Sequence, residues 1–569
     1  WFVTRGYPPR VTNHQPPENQ PNPEPHQPHE AWQGGTPEYL ESGGGRRPAR
    51  GGRRRRPLLL AGLGVLGLGV AGGVAFGAWW YLADGGSAAE ALPADSLGYV
   101  GLTLDPSGQQ KLQALETLRK FPALAEELDL EGDASDVDLK ERLVDLVLED
   151  APCTGLSHGE DVEPWLGDRL GVAAVDLGGD APAAVVAVEV TDAEAADEGL
   201  AEIDACGDDS GEASFAWSVE GDWLLATEDA ESLGRVQDLV AEGTLADDED
   251  FQRWTSAAGG EGLVTLYAAP AAGPYLAGLV ERDPALAEDL GLSVPGQDEL
   301  PEQVEEALGD FAGAGAQLRF TDGALELEGA GSIGESGYLH ALSGDVSELV
   351  GSLPADTGLA YAMGVQEGWF DELLTYLADT SQGLVEADEL ADELVRLTGL
   401  TGSDLEAAVG GGVALAIGGG VDPAEMLGPD PTSFPLALKV DGEVDDVEKV
   451  VEALSDQLGP DAGLVGLAEG DAGVAVGLDG PWLDEVADGG ELGRSERFRT
   501  VLPDADRAEG ISYLDLDAVR AVVAEALEQL GGPDEATQVL DDLAPLAAFG
   551  AASWLEDDVL RLRVRLTTD

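Results

Sequence analysis

The sequence predicts an α+β fold: a duplicated, two-lobe module of antiparallel or mixed sheets with helices, preceded by one transmembrane helix and a disordered tail. Three observations predict it. A stretch of 26 residues without a charge, 57–82, separates a basic N-terminal segment from an acidic remainder. Beyond it, apolar runs bounded by Gly, Pro and Asp alternate with amphipathic stretches, the patterns of strands and helices. Segments of this outer region also recur in the same order at offsets of roughly 235–261 residues, the mark of an internal repeat.

The composition sets outer bounds. With 30 Lys+Arg against 111 Asp+Glu the chain carries a formal net charge of −81, which repels phosphate backbones and excludes nucleic-acid binding by the bulk of it. Apolar residues make up 43% of the 569 positions, too many for disorder throughout and enough for two to four domains. The charge is uneven: residues 1–56 hold nine Arg and five Glu, a net of +4, so the rest carries −81 − 4 = −85.

Residues 1–56 read as a disordered cytoplasmic tail with an Arg cluster. Runs such as PPENQPNPEPHQPHE have too little to bury to offset the entropy of ordering, and His14, His26 and His29 read as solvated imidazoles rather than a metal site. The arginines from Arg46 to Arg56 could also bind anionic headgroups at ~1 kcal/mol each.

Residues 57–82 (PLLLAGLGVLGLGVAGGVAFGAWWYL) follow. At ~1.5 Å per residue they cover ~39 Å, enough to cross a hydrocarbon core of ~30 Å with tilt. Arg53, Arg54, Arg55 and Arg56 hold their end in the cytoplasm, while Trp79, Trp80 and Tyr81 mark the far headgroup layer, so the C-terminal region lies outside the cell membrane. A cleaved leader, with Ala88 and Ala91 as the small residues, is the competing reading; it expects a shorter charged lead and a shorter apolar stretch. Gly69, Gly73 and Gly77 form a small-xxx-small stripe suited to a homodimer through the helix, although glycine is common throughout this chain.

After a linker at 83–90, two α+β lobes are expected at 91–335 and 350–569. Leu92-Pro93-Ala94-Asp95 recurs as Leu353-Pro354-Ala355-Asp356, each ahead of an apolar segment with Tyr99 or Tyr361. Residues 181–203 parallel 433–454, EGDWLLATEDAESLGRV parallels EGDAGVAVGLDGPWLDEV, Phe251 parallels Phe498, 261–268 parallels 509–516, and 316–328 parallels 552–564. Thr321-Asp322-Gly323 has hairpin-turn chemistry, and 517–530 places Val519, Val522, Val523 and Leu527 near one helical face. Cys153 and Cys206, both outside the membrane, read most simply as a disulfide, with two unpaired thiols as the alternative.

The Arg-rich Pro/Gly tail, the single crossing and LPADSLGYVGLTLDPSGQQKLQALETLRKFPAL from Leu92 to Leu124 resemble the actinobacterial, membrane-anchored members of the domain of unknown function 3352 family. The features that carry the resemblance are Leu92-Pro93-Ala94-Asp95, an apolar strand with Tyr99, Asp105-Pro106-Ser107-Gly108, a helix, and Phe121-Pro122. It implies an envelope protein without an assigned activity and transfers no catalytic residue.

A search for chemistry yields little. His158 and His340 are the histidines beyond the membrane, the first expected in a loop and the second half-buried between lobes; neither accompanies a nucleophile motif. Acids are too numerous for spacing to select a glycosidase pair, and Asp247-Asp248-Glu249-Asp250 reads as a solvated face before a weak Ca²⁺ site. Gly410-Gly411-Gly412 and Gly418-Gly419-Gly420 lack the Lys-Ser/Thr of a phosphate loop and read as turns or strand ends. Tryptophans at 165, 217, 223, 254, 369, 482 and 554 are scattered, as core anchors are. The expectation is a single-pass, membrane-anchored extracytoplasmic protein without cofactor, non-enzymatic, binding or scaffolding at the cell envelope. An envelope hydrolase using carboxylates and a transmembrane sensor are the alternatives.

Overall fold

The computed structural model describes residues 87–569 apart from 131–139, 145–156, 209–214, 283–299, 335–339, 381–384, 421–432, 459–462, 525–536 and a few shorter stretches. The expected tail and crossing lie outside the described residues, with Arg53, Arg54, Arg55, Arg56, Gly69, Gly73, Gly77, Trp79, Trp80, Tyr81 and Cys153. Among the described residues no helix is long and apolar enough to cross a membrane.

Among the described residues sixteen strands form one sheet. The first eight are β1 (Gly98–Thr103), β2 (Leu166–Val175), β3 (Ala183–Val190), β4 (Ala216–Glu220), β5 (Trp223–Thr227), β6 (Val264–Ala268), β7 (Ala314–Thr321) and β8 (Ala324–Ser332). The second eight are β9 (Thr357–Gly364), β10 (Gly412–Gly418), β11 (Leu436–Val440), β12 (Val465–Gly470), β13 (Gly473–Leu478), β14 (Gly510–Asp515), β15 (Leu546–Glu556) and β16 (Val559–Thr568). From one edge the order is β4-β5-β3-β2-β1-β6-β7-β8, and from the other β12-β13-β11-β10-β9-β14-β15-β16. The second eight therefore repeat the order of the first. The two halves meet where β8 pairs with β16 over nine residue pairs, Val559 opposite Ser332 through Thr567 opposite Ala324. Every pairing along this order is antiparallel. The strands of the two expected lobes thus join in a single sheet.

The hairpins explain their own turns. β7 and β8 pair up to Thr321 opposite Ala324, with Gly323 in the turn at φ 74°, and β15 and β16 close over Asp557 and Asp558, both at positive φ. These are the conformations that two-residue hairpin turns demand, and Gly, Asn and Asp tolerate them best.

Helices cover both faces. In chain order they are α1 (Gly108–Leu118), α2 (Ala193–Asp208), α3 (Ala230–Glu242), α4 (Glu249–Ala257), α5 (Ala272–Arg282), α6 (Glu302–Gly309), α7 (Ser347–Gly351), α8 (Trp369–Thr380), α9 (Ala387–Thr398), α10 (Gly402–Val409), α11 (Val444–Leu458), α12 (Pro481–Asp488) and α13 (Glu496–Val501). Strand residues alternate between faces, so one face of the second half buries small side chains: Ala360, Ala362, Ala414, Ala416, Ala437, Ala475, Ala548 and Ala552. Their size lets α7, α12 and α13 approach closely enough to seat Trp482, Leu483, Val486, Phe498 and Val501.

The two Leu-Pro-Ala-Asp segments occupy matching places. Leu92 and Leu353 are both fully buried, and Ser96 and Thr357 each donate their hydroxyl at 2.7 Å to the carbonyl of the proline three residues earlier. The helix that carries Phe251 begins at Asp248, which accepts the Phe251 N–H; the helix that carries Phe498 begins at Ser495, which accepts the Phe498 N–H. Phe251 stands edge-on between Tyr99 and Tyr267, at ring separations of 5.6 and 5.2 Å, and Phe498 meets Tyr513 at 5.2 Å. Trp254 lies beside Gly313 and Gly315, where a Cβ would strike its ring or backbone, and donates its indole N–H to Ala312 O at 2.9 Å. In 517–530, Val519 is buried and Arg520 pairs with Asp517; Val522, Val523 and Leu527 fall outside the described residues.

Candidate functional site

Two concentrations of polar groups stand out from this apolar architecture. The first is the seam between the halves. Along β16, Arg561, Arg563 and Arg565 alternate onto one face, opposite Ala330, Glu328 and Glu326 of β8. Arg319 of β7 reaches Glu326 at 2.6 Å and also pairs with Glu328; Arg563 reaches Glu328 at 2.7 Å and pairs with Asp504. Arg565 also pairs with Glu326 and donates to Thr500 O at 3.1 Å, while Arg561 donates to Ala257 O. Glu326 is 3% exposed at its side chain, so its charge is tolerable only with these guanidinium partners. The cluster joins the halves through ion pairs between β7, β8 and β16.

The second lies at the end of β11, β12 and β13 nearest their hairpins. A cleft of about 610 Å³ is bounded by Glu348, Leu349 and Ser352 of the α7 region, by Lys439 and Asp441 of β11 and its exit, by Asp471 and Gly473 of the β12–β13 turn, and by Glu491 and Arg494. Lys439 occupies an inward position of β11, between Ala414 and Ala475 on the neighbouring strands, and is 1% exposed. Its ammonium donates to Ser352 Oγ at 2.6 Å. Among the described residues no carboxylate lies within ion-pair distance of Lys439, whereas Lys140 and Lys449 each have one. Burial accordingly pushes the Lys439 amine down from the usual lysine range to about 8. Ser352, which caps the C-terminal end of α7, donates its own proton to Glu348 O at 2.7 Å. The hydroxyl is therefore held between an amine that donates and a helix carbonyl that accepts.

The residues singled out in the sequence do not gather at this cleft. Cys206 lies in α2, and Cys153 is outside the described residues. His158, expected in a loop, instead opens a π-helical turn at His158–Val162 and is 4% exposed. His340 is half-buried, its carbonyl accepting from Ser343 Oγ at 2.5 Å. Of the acids at 247–250, Asp248 caps α4 and Asp247 accepts from Thr244. Among the described residues no group of three or more His, Cys, Asp or Glu side chains is arranged to hold a metal ion. Gly410 ends α10 at φ 64°, Gly412 opens β10, Gly418 closes it, and Gly420 turns at φ 69°. Trp165, Trp254, Trp482 and Trp554 are core residues.

Sequence reasoning missed Lys439. A signal was present: in LALKV the inward positions are Ala437 and Lys439, so period two puts one of only five lysines into the core. Comparison with protein-family models, with curated proteins and with solved structures finds no match for this chain.

Proposed function

We propose that the chain is a single-pass, membrane-anchored extracytoplasmic protein that acts as a binding or scaffolding plate at the cell envelope, with the Lys439 cleft as its ligand site. One observation carries the binding role: a lysine 1% exposed, held by one neutral hydroxyl, borders a cleft of about 610 Å³. A buried cation with unfilled donor capacity costs stability, and a ligand acceptor in the cleft would offset that cost. Anchoring and orientation rest on residues 57–82 with their flanking arginines and aromatics, in keeping with the resemblance to the 3352 family. The matching strand orders support descent of the two halves from one duplicated lobe.

A reporter fused at the C-terminus tests the anchoring: accessibility from outside intact cells is expected, and accessibility from the cytosol alone overturns it. Competition of candidate ligands with amine-directed labelling of Lys439 tests the cleft. Protection of Lys439 with other lysines unchanged supports the reading, and labelling unaffected by any envelope extract overturns it.

A further inference from the structure

The first half of the sheet serves as a built-in control for the second. In the β4–β5 hairpin, Glu220 opposes Trp223, and in the β12–β13 hairpin, Gly470 opposes Gly473. Counting inward by two, Leu225 corresponds to Ala475; Leu225 pairs with Ala187 of β3, and Ala475 with Lys439 of β11. The residue before Leu92 is Ala91, and the residue before Leu353 is Ser352. At the places of Ser352 and Lys439 the first half therefore has Ala91 and Ala187, 6% and 0% exposed. Two methyl groups suffice for the fold there. The hydroxyl and the ammonium appear together, in contact, in the half that carries the cleft.

We propose that Ser352 and Lys439 form a nucleophile–base pair that accepts an acyl group from an ester bound in the cleft. The arrangement has the parts this chemistry needs: a hydroxyl on the cleft wall, an amine behind it at 2.6 Å, and an apolar surround of Ala414, Ala437 and Ala475 that favours the neutral amine. Once Lys439 is neutral, the Ser352 hydroxyl turns its proton from Glu348 O to Nζ, and Lys439 takes that proton as Ser352 Oγ bonds to the acyl carbon. The ester C–O bond then breaks, and the departing alcohol receives that proton from Lys439. Water completes the cycle: it gives a proton to Lys439, its oxygen bonds to the acyl carbon, and the acyl–Oγ bond breaks. The serine hydroxyl reforms with the proton from the amine.

The charges facing the pair come from every packed element: Glu348 of α7, Asp441 after β11, Asp471 in the β12–β13 turn, and Glu491 with Arg494 after α12. Four carboxylates against one guanidinium favour a cationic acyl donor over an anionic one.

The test uses the full chain, purified in detergent, with a fluorophosphonate probe and with cationic, neutral and anionic nitrophenyl esters. The expected adduct is on Ser352 and is lost in Ser352→Ala. Its rate should rise with pH through an inflection near 8 in the wild type. Lys439→Met should abolish the adduct while leaving the pH 7 denaturation midpoint at or above that of the wild type, since it removes a buried charge. The wild-type pH profile decides the matter without that variant should it fail to fold. Absence of any Ser352 adduct between about pH 6 and 10, or equal adduct yield in Lys439→Met, overturns the proposal. Faster reaction with the anionic ester overturns the substrate class. None of these outcomes depends on membrane topology.

Discussion

Glu326→Ala should be among the most damaging single substitutions in the molecule. The Glu326 side chain, 3% exposed, pairs with Arg319 at 2.6 Å and with Arg565, and Arg563 stands 3.7 Å away. The ion pairs around Glu326 and Glu328 join three guanidinium groups, of Arg319, Arg563 and Arg565, to three carboxylates, of Glu326, Glu328 and Asp504, while Arg561 beside them pairs with Glu556. All six side chains are at most 17% exposed. Removing one carboxylate leaves an uncompensated buried positive charge at the junction of the halves, a loss of about 3–5 kcal/mol. The assay is urea denaturation of the full chain in detergent, followed by tryptophan fluorescence at neutral pH. A matched variant, Glu393→Ala, removes an exposed partner of Arg396 and should leave the curve unchanged. Glu326→Leu combined with Arg565→Leu should recover part of the loss, because the pair is removed together. A decrease below about 1 kcal/mol in Glu326→Ala would show that the seam is wet and screened, and the account of how the halves are joined would fail.

Three further outcomes are expected. Burial pushes the hydroxyls of Tyr99 and Tyr513 up to about 12, so the folded state keeps protons that the unfolded chain loses from about pH 10. The stability they contribute is full below pH 10 and should be lost as pH rises toward 12, read by tyrosinate absorbance against unfolding; a flat profile across that window refutes the assignment. A net charge of −81 with only five lysines implies self-repulsion that salt relieves, so the denaturation midpoint should rise from low to molar salt, and equal midpoints would count against it. Asp248→Ala removes the acceptor of the Phe251 N–H at the start of α4 and should cost about 1 kcal/mol by the same urea assay, while Asp247→Ala should cost less.

Local structure was legible wherever one short stretch contains its own instructions. Asp322-Gly323 between alternating runs announces a hairpin, and the chain folds there as β7 and β8. Glycine clusters at 410–412 and 418–420 read as ends, and β10 begins and stops on them. What could not be read is which distant strands become neighbours. β8 meets β16 across more than two hundred residues, and the pairing depends on complementary patterns, Glu326 and Glu328 on one strand and Arg563 and Arg565 on the other. Each pattern alone describes an exposed amphipathic strand. The cleft was hidden for a related reason: Ser352 and Lys439 are 87 positions apart, and neither belongs to a motif. Among so many acids, attention falls on carboxylates, whereas the unusual feature is a scarce cation placed where alternation demands an apolar side chain.

The position of β1 has a mechanical consequence. The described chain enters at Ser87 and reaches its first strand in the interior of the sheet, flanked by β2 on one side and β6 on the other. A load applied through the N-terminal side would have to shear two ladders at once instead of peeling an edge one hydrogen bond at a time. Should this end be tethered to a surface under tension, the sheet would resist extraction at an interior strand of its first half while its edge strands, β4 and β12, stayed free of the strain.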